Sequence, residues 1–205
     1  KLTLFLQLFF GGEKMNYFIF DVDGTILDSM EVWNTLASRY IRSLKKEPEE
    51  NLDEIVSEMS LEQSAIYLKK RYRIYKQEEV IISEVLNLIS DFYKHEVKLM
   101  PGFKDFITHF DSMNVIGTSC DEELVKSALK RLGVLDYFED IMTCSKVNKG
   151  KDDPGFYLAC ADILEQKPDN IFVFEDADYC IDAARKVGFK VIKIKDWRDL
   201  NEELW

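Results

Sequence analysis

The chain has 205 residues, of which 38 are acidic and 27 are lysine or arginine, so its formal net charge is −11 at pH 7. It carries no basic excess that could release counterions, which argues against a nucleic acid or an anionic membrane as its partner. The length suits one domain with an insertion, and a hydrophobic content of 46% is enough for a buried core. We expect a monomer or a weak dimer.

The four cysteines are widely spaced and form no CxxC pair, and the chain shows no secretory pattern. Reduced thiols of this kind are typical of a cytoplasmic protein. We predict that Cys160 and Cys180 lie in the core.

The first 14 residues are an apolar stretch that is too short to span a bilayer. Met15 stands directly before the first core strand and resembles a natural start. We interpret residues 1–14 as an upstream extension or a cloning remnant, with a genuine extra strand as the alternative.

The first strand, Tyr17-Phe18-Ile19-Phe20, runs directly into Asp21-Val22-Asp23-Gly24-Thr25. The carboxylates of Asp21 and Asp23 leave the strand on the same side, so they converge at its carboxyl end, the edge of an α/β sheet where ligands bind. A simple acidic turn is the alternative interpretation.

The region from about residue 29 to residue 98 shows apolar residues at helical spacing and no strand pattern. One amphipathic stretch runs from Val32 to Leu44, and shorter and longer ones follow around Ile55, Leu68 and Leu88. We predict a small all-α bundle inserted into the chain.

After Pro101 the pattern alternates between helices and short apolar strands. Such alternation predicts right-handed βαβ units and a parallel sheet. The predicted fold is therefore α/β, with a Rossmann-like parallel sheet core in residues 15–28 and 99–205 and an inserted helical cap in residues 29–98. The predicted strands of the second part are 115–118, a short one near Ile141, 171–174 and 191–194.

A second acid pair, Glu175-Asp176, again follows an apolar strand. The carboxyl ends of parallel strands share one edge, so we expect this pair to share a site with Asp21 and Asp23. Four carboxylates in one site repel each other unless a cation holds them. Oxygen ligands of this kind predict Mg²⁺ as the cofactor, bound by these four residues. A helix N-cap pair is the alternative for Glu175-Asp176.

An anion site is predicted beside that metal. Thr118 and Ser119 follow the middle strand and precede a helix, where hydroxyl and backbone N–H groups suit a phosphate. Lys151 lies just before the next helix and would supply positive charge. Lys146 and Lys149 lie in the same loop, and Lys149 stays open as the alternative phosphate-binding lysine.

Along the chain come first Asp21 with Asp23, then Thr118-Ser119, then Lys151 and last Glu175-Asp176. This order resembles that of the motifs of the haloacid dehalogenase superfamily. The resemblance extends over about residues 15–196 and is greatest for the β-phosphoglucomutase and phosphoglycolate phosphatase-like group with a helical cap. It implies that Asp21 is the nucleophile and Asp23 the general acid/base. Thr118 and Lys151 resemble the phosphate-binding residues. The implied metal ligands are Asp176 and, beside it, Glu175.

The resemblance implies a Mg²⁺-dependent phosphatase acting on a small phosphorylated metabolite through an aspartyl-phosphate. A sugar phosphomutase shares the core residues, but Ser57-Glu58-Met59-Ser60 stands where such mutases tend to carry Arg-Gly. Asp152 replaces the usual proline after the lysine, and Ala177-Asp178-Tyr179 replaces the usual Ser-x-Gly. A metal-free 2-haloacid dehalogenase and a non-enzymatic phospho-receiver domain are further alternatives: Asp23 argues against the first and the helical insertion against the second.

Overall fold

The structure is a computed structural model that describes residues 15–56, 59, 61–198 and 200. The predicted extension 1–14 lies outside these residues, as do Ser57, Glu58 and Ser60. The chain divides into two compact units: the residues up to Asp28 together with those from Val97 onward, and the helical unit Ser29–Glu96. None of the helices in the described ranges is long and apolar enough to cross a membrane.

The first unit is built on a five-stranded parallel sheet with the strand order β3-β2-β1-β4-β5. The prediction of a Rossmann-like parallel sheet is therefore confirmed. Because β1 is the central strand and all strands are parallel, the residues that follow β1, β2 and β4 leave from one edge of the sheet. The strands are β1 Asn16–Phe20, β2 Ser112–Thr118, β3 Asp140–Thr143, β4 Phe172–Glu175 and β5 Lys190–Lys193.

Every named element of the helical unit is an α-helix, and further helices connect the strands of the sheet. Short 3₁₀ turns stand at Leu135–Tyr137 and Pro168–Asn170. The α-helices of the described residues are α1 Met30–Asn34, α2 Leu36–Ser43, α3 Leu52–Val56, α4 Leu61–Tyr72, α5 Glu78–His95, α6 Phe103–His109, α7 Glu122–Arg131, α8 Cys144–Val147, α9 Pro154–Leu164 and α10 Asp178–Lys186.

Four strands differ from their predicted bounds: β1 begins one residue earlier and β5 lies one residue earlier, and the differences in β2 and β4 bear on the site. β2 begins at Ser112, three residues earlier than predicted, because Asn16 of β1 pairs with Ser112 and extends the ladder through residues that are not typical of strands. β4 ends at Glu175, so this acid belongs to the strand instead of following it. Both differences come from pairing with a neighbouring strand, which overrides local residue preference.

Both faces of the sheet are covered, as expected for parallel strands. Successive side chains point to opposite faces, so Phe18 and Phe20 pack on one face and Ile19 on the other. The first face carries an aromatic cluster in which Phe20 and Phe174 stack at 4.8 Å between ring centroids. Its other members include Phe18, Phe103, Phe106 and Trp197. The second face packs on α9 and α10, and there Cys160 and Cys180 are buried, as predicted.

The helical unit has its own core, but its first predicted helix is broken. The apolar spacing from Val32 to Leu44 predicts one helix, whereas the structure has α1 and α2 separated at Thr35. The Thr35 hydroxyl donates a hydrogen bond to the carbonyl oxygen of Glu31 at 2.6 Å. Side-chain bonds of this kind are typical of bent helices, and this one lies at the break. The buried core of the unit consists of Ala37, Tyr40, Ile41, Leu52, Ala65, Leu68, Ile74, Ile81 and Val85.

Candidate active site

The first acid pair lies at the carboxyl end of the central strand. Asp21 continues the ladder, since its backbone N–H donates to the carbonyl oxygen of Phe174 at 3.0 Å. Asp21 is only 7% exposed, whereas Asp23 is partly exposed. A tight turn follows, in which Gly24 has φ +84° and its N–H donates to the Leu27 carbonyl at 2.9 Å. The positive φ explains the glycine at this position.

A buried lysine joins the two acid pairs. Lys151 is 5% exposed, and its Nζ lies 2.6 Å from Asp21 Oδ1 and also contacts Glu175 Oε1. Glu175 is itself only 1% exposed. Buried charges of this kind are stable only when they are paired, and here one ammonium group lies between two carboxylates.

The other two lysines of the same loop lie elsewhere. Lys149 Nζ pairs with Asp153 Oδ2 at 2.9 Å, and both side chains are more than 40% exposed. Lys146 Nζ lies 3.1 Å from Glu122 and donates to the carbonyl oxygen of Ile141. Of the three candidates, the structure therefore brings Lys151 to Asp21.

Glu175 is bound by several donors. Its Oε1 accepts a hydrogen bond from the hydroxyl of Tyr157 at 3.0 Å as well as the contact with Lys151. Its Oε2 accepts from the backbone N–H groups of Asp176 at 3.1 Å and Ala177 at 3.4 Å. Sequence reasoning missed Tyr157, because its position in an apolar helix is typical of a core aromatic residue. Its closeness to Lys151 in the chain was the one available signal.

Three carboxylates could hold a metal ion together. Ligand oxygens of Asp21, Glu175 and Asp176 all lie within 4.8 Å of one another, and Asp23 does not belong to this cluster. Asp21 Oδ2 is buried and has no hydrogen-bond partner. An unpartnered carboxylate oxygen beside two further carboxylates fits a hard cation such as Mg²⁺, which prefers oxygen ligands.

Burial controls the charge state of this cluster. It raises the pKa of Asp21 to about 8, although the ammonium group of Lys151 acts in the opposite direction. Burial and the charge of Glu175 also raise the pKa of Asp176. For Lys151, burial by itself lowers the pKa, but the charges of Asp21 and Glu175 outweigh it, so the ammonium form is favoured. A bound divalent cation would favour the ionised carboxylates.

The predicted phosphate-binding hydroxyls lie at the end of β2. Thr118 is the last residue of the strand and is buried, and its Oγ1 accepts from the backbone N–H of Cys120 at 3.0 Å. Ser119 is exposed, and its Oγ lies 3.4 Å from Cys144 Sγ. The N-cap of α7 is Asp121, whose Oδ1 accepts from the N–H groups of residues 123 and 124. These two backbone N–H groups are therefore already bonded. The start of α7 offers fewer N–H donors to a phosphate than the sequence predicted.

Comparison with known families agrees with this arrangement. A family model described as haloacid dehalogenase-like hydrolase matches residues 18–194, which is most of the chain. The chain belongs to the haloacid dehalogenase-like hydrolases. The family prediction made from the motifs, and with it the prediction of a haloacid dehalogenase-like enzyme, is confirmed.

The curated relatives of this haloacid dehalogenase-like hydrolase include phosphatases and a phosphomutase. A beta-phosphoglucomutase from Bacillus subtilis is 27% identical over 190 residues, which cover 88% of this chain and 83% of the relative. A phosphorylated carbohydrates phosphatase from Thermotoga maritima is 25% identical, with 87% and 84% covered. A fructose-1-phosphate phosphatase from Escherichia coli is 25% identical, with 89% and 98% covered.

Solved structures share the fold. The hydrolase YfnB from Bacillus subtilis, bound to magnesium, has a TM-score of 0.75 at 14% identity, with 94% of this chain and 99% of that chain covered. CbbY from Rhodobacter sphaeroides, in complex with phosphate, has a TM-score of 0.64 at 17% identity, with 88% and 86% covered. At such low identity these likenesses concern the fold alone.

Proposed function

We propose that this chain is a Mg²⁺-dependent phosphatase that hydrolyses a small phosphomonoester through an aspartyl-phosphate intermediate. One observation carries the proposal: the buried carboxylate of Asp21 has one oxygen held by Lys151, while its other oxygen has no partner and lies in a cluster with Asp176 and Glu175. An oriented carboxylate beside a positive charge and a possible metal site is what attack on a phosphoryl group requires.

In the first step an oxygen of Asp21 attacks the phosphorus, and the bond between phosphorus and the leaving-group oxygen breaks. Asp23, as a carboxylic acid, gives its proton to the leaving alkoxide. In the second step the Asp23 carboxylate takes a proton from a water molecule, whose oxygen attacks the phosphorus of the aspartyl-phosphate, and the bond between phosphorus and the Asp21 oxygen breaks. Inorganic phosphate leaves, and both side chains return to their starting forms.

Lys151, with the hydroxyls of Thr118 and Ser119, would bind the phosphoryl oxygens. Asp21 and Asp176 would hold Mg²⁺, and Glu175 and Asp23 are the further ligands that the sequence predicts. When bound, the ion offsets negative charge on the transferring phosphoryl group. Lys151 adds a fixed positive charge that is already in place before the substrate arrives.

We further propose that the helical unit acts as a cap that covers the bound substrate and excludes bulk water. The substrate class is a small phosphorylated metabolite, by analogy with the sugar-phosphate substrates in the names of the curated relatives. The location in the cytoplasm and a monomeric or weakly dimeric state stay predictions.

A phosphomutase is the second candidate, because one relative is a beta-phosphoglucomutase and the core chemistry would be the same. The two activities differ in what attacks the aspartyl-phosphate, which is water in the hydrolase and a second sugar phosphate in the mutase. Ser57-Glu58-Met59-Ser60, in place of the expected Arg-Gly, favours the hydrolase.

The test is a panel of small phosphomonoesters assayed for inorganic phosphate with Mg²⁺ present, combined with isomer analysis of the products. We expect phosphate release and, after acid quenching, a mass increase of one phosphoryl group on the peptide that contains Asp21. Isomerised sugar phosphate without phosphate release would establish the mutase instead. Turnover with no labelled Asp21 peptide would reject the covalent mechanism.

A further inference from the structure

The hydroxyl of Tyr157 is a buried polar group that the proposed chemistry does not use. Tyr157 lies in α9 and is 1% exposed, and its hydroxyl donates to Glu175 Oε1 at 3.0 Å. The same oxygen atom contacts Lys151 Nζ, which in turn lies 2.6 Å from Asp21 Oδ1. The phenol is therefore separated from the proposed nucleophile by two intervening charged side chains.

Packing alone does not explain a hydroxyl at this position. The ring of Tyr157 packs edge-on against Phe156, with 5.3 Å between centroids, and lies 6.2 Å from the ring of Phe189. A phenylalanine would fill almost the same volume in this apolar cluster. Burying a phenol costs free energy unless its hydroxyl finds a partner, and here the partner is the carboxylate that contacts Lys151.

The carboxylate of Glu175 is fixed through both of its oxygens. Backbone N–H groups of Asp176 and Ala177, the two residues that follow β4, bind Oε2. The Tyr157 hydroxyl and Lys151 share Oε1. Loss of the hydroxyl would free one side of the carboxylate and allow it to rotate about its last torsion angle, and Lys151 Nζ would move with it.

The protonation state of the phenol supports this role. Burial and the neighbouring charge of Glu175 raise the pKa of Tyr157 above its ordinary value. The hydroxyl therefore stays protonated and remains a donor at any pH at which the protein would be assayed.

We propose that Tyr157 is a positioning residue whose hydroxyl fixes Glu175 and, through it, holds the ammonium group of Lys151 in place for the phosphoryl group. This proposal rests on the proposed phosphatase function. It adds Tyr157 to the site as the residue that keeps Lys151 oriented. Small displacements of such groups weaken binding and rate strongly, because the interactions depend on preorganised geometry.

The experiment compares the wild type with Tyr157→Phe by titration calorimetry with inorganic phosphate at saturating Mg²⁺. A lost hydrogen bond to a charged group predicts phosphate binding about tenfold weaker. In the absence of phosphate, the affinity for Mg²⁺ should fall by much less than the affinity for phosphate, since the Glu175 oxygen that the hydroxyl bonds is the one that contacts the lysine. A parallel loss of Mg²⁺ affinity would overturn the proposal by assigning the hydroxyl to the metal site.

Tyr40→Phe is the matched control. Tyr40 is also 1% exposed, and its hydroxyl donates to a glutamate, Glu84 Oε2, at 2.8 Å, but it lies in the core of the helical unit. We expect both variants to melt at lower temperature than the wild type and Tyr157→Phe alone to lose phosphate affinity. Equal phosphate affinities for the two variants would overturn the positioning role.

A double-mutant cycle with Glu175→Gln tests whether the hydroxyl acts through the carboxylate. Once Glu175 has lost its charge, adding Tyr157→Phe should reduce phosphate affinity by less than about twofold, because the two residues share one pathway to Lys151. Fully additive losses would show that the hydroxyl acts independently of Glu175 and would overturn the proposal.

The same measurements separate this inference from the proposed function. If the wild type binds phosphate and releases it from a substrate, but Tyr157→Phe behaves like the wild type, then the positioning role fails and the phosphatase function stands. If the wild type neither binds phosphate nor hydrolyses any phosphomonoester, both proposals are overturned.

Discussion

Trp197 and Thr25 are 172 positions apart in the chain, and the indole Nε1 of Trp197 donates a hydrogen bond to the carbonyl oxygen of Thr25 at 2.7 Å. Thr25 belongs to the turn that follows Asp23, and both Trp197 and Thr25 are completely buried. The indole ring lies in the aromatic cluster beside Phe106, with 4.7 Å between centroids. A residue beyond the last strand thus fixes the turn that carries the proposed acid/base.

Replacing this indole should destabilise the protein. Trp197→Phe leaves the buried carbonyl of Thr25 without a donor, so we expect the free energy of unfolding to fall by at least about 1–3 kcal/mol in urea denaturation. Trp33→Phe is the control, because Trp33 donates to Tyr93 at 3.1 Å but is 37% exposed. Its cost should stay below about 1 kcal/mol. An equal decrease in the free energy of unfolding for the two variants would mean that the hydrogen bond to Thr25 does not stabilise the fold.

Asp21→Asn should abolish turnover while the protein stays folded. The amide is a poor nucleophile, and Lys151 keeps Glu175 as its counter-ion, so the buried charge is still paired. The loss in kcat should exceed the roughly 10²–10⁴-fold effect of a lost general acid or base. Phosphate release measures the loss of turnover, and circular dichroism checks that the variant is folded. A variant with activity within tenfold of the wild type would contradict the assignment of Asp21 as nucleophile.

Asp23→Asn should slow hydrolysis most for substrates whose leaving group must be protonated as it departs. Alkoxides of high pKa require protonation as they leave, whereas activated phenolates do not, so the loss should grow along a series of aryl phosphates with rising leaving-group pKa. The expected loss for the poorest leaving groups is about 10²–10⁴-fold. A loss that is constant across the series would remove Asp23 from the role of general acid.

Lys151→Met and Lys149→Met form a pair of variants in the same loop. Removing Lys151 leaves Asp21 and Glu175 buried without their shared counter-ion, so the free energy of unfolding should fall by about 3–5 kcal/mol. Phosphate affinity and turnover should fall as well, measured on protein first shown to be folded. Removing the exposed Lys149 should cost no more than about 1 kcal/mol and leave activity near that of the wild type. The reverse pattern would shift the assignment to Lys149.

Mg²⁺ should be required for activity and should stabilise the fold. A ligand that binds only the native state raises the melting temperature, so the wild type should melt at higher temperature in Mg²⁺ than in chelator. Asp176→Asn should lose most of that increase, because it removes a carboxylate ligand. Ca²⁺ should suppress turnover, since its flexible coordination lets Asp21 bind through both oxygens. Full activity in excess chelator would reject the metal site.

The sequence alone predicted the parts of the molecule that depend on local pattern. Strands such as Tyr17–Phe20, and the acid pairs that follow them, are visible because four apolar residues end abruptly in carboxylates. The alternation of strands and helices then predicts a parallel sheet, and a parallel sheet places all of its carboxyl ends on one edge. These rules place Asp21, Asp23, Glu175 and Asp176 at one edge of the sheet.

The tertiary structure decided which side chains meet at that edge. The sequence favours Lys151 over Lys149 only by its place just before a helix. Folding decides between them, since it buries Lys151 against an aspartate that is 130 positions away. Tyr157 and Trp197 look like core aromatic residues, because an apolar pattern cannot reveal where a hydroxyl or an indole N–H points. Such contacts depend on the order of strands and on packing between distant segments, and neither is encoded in the spacing of neighbouring residues.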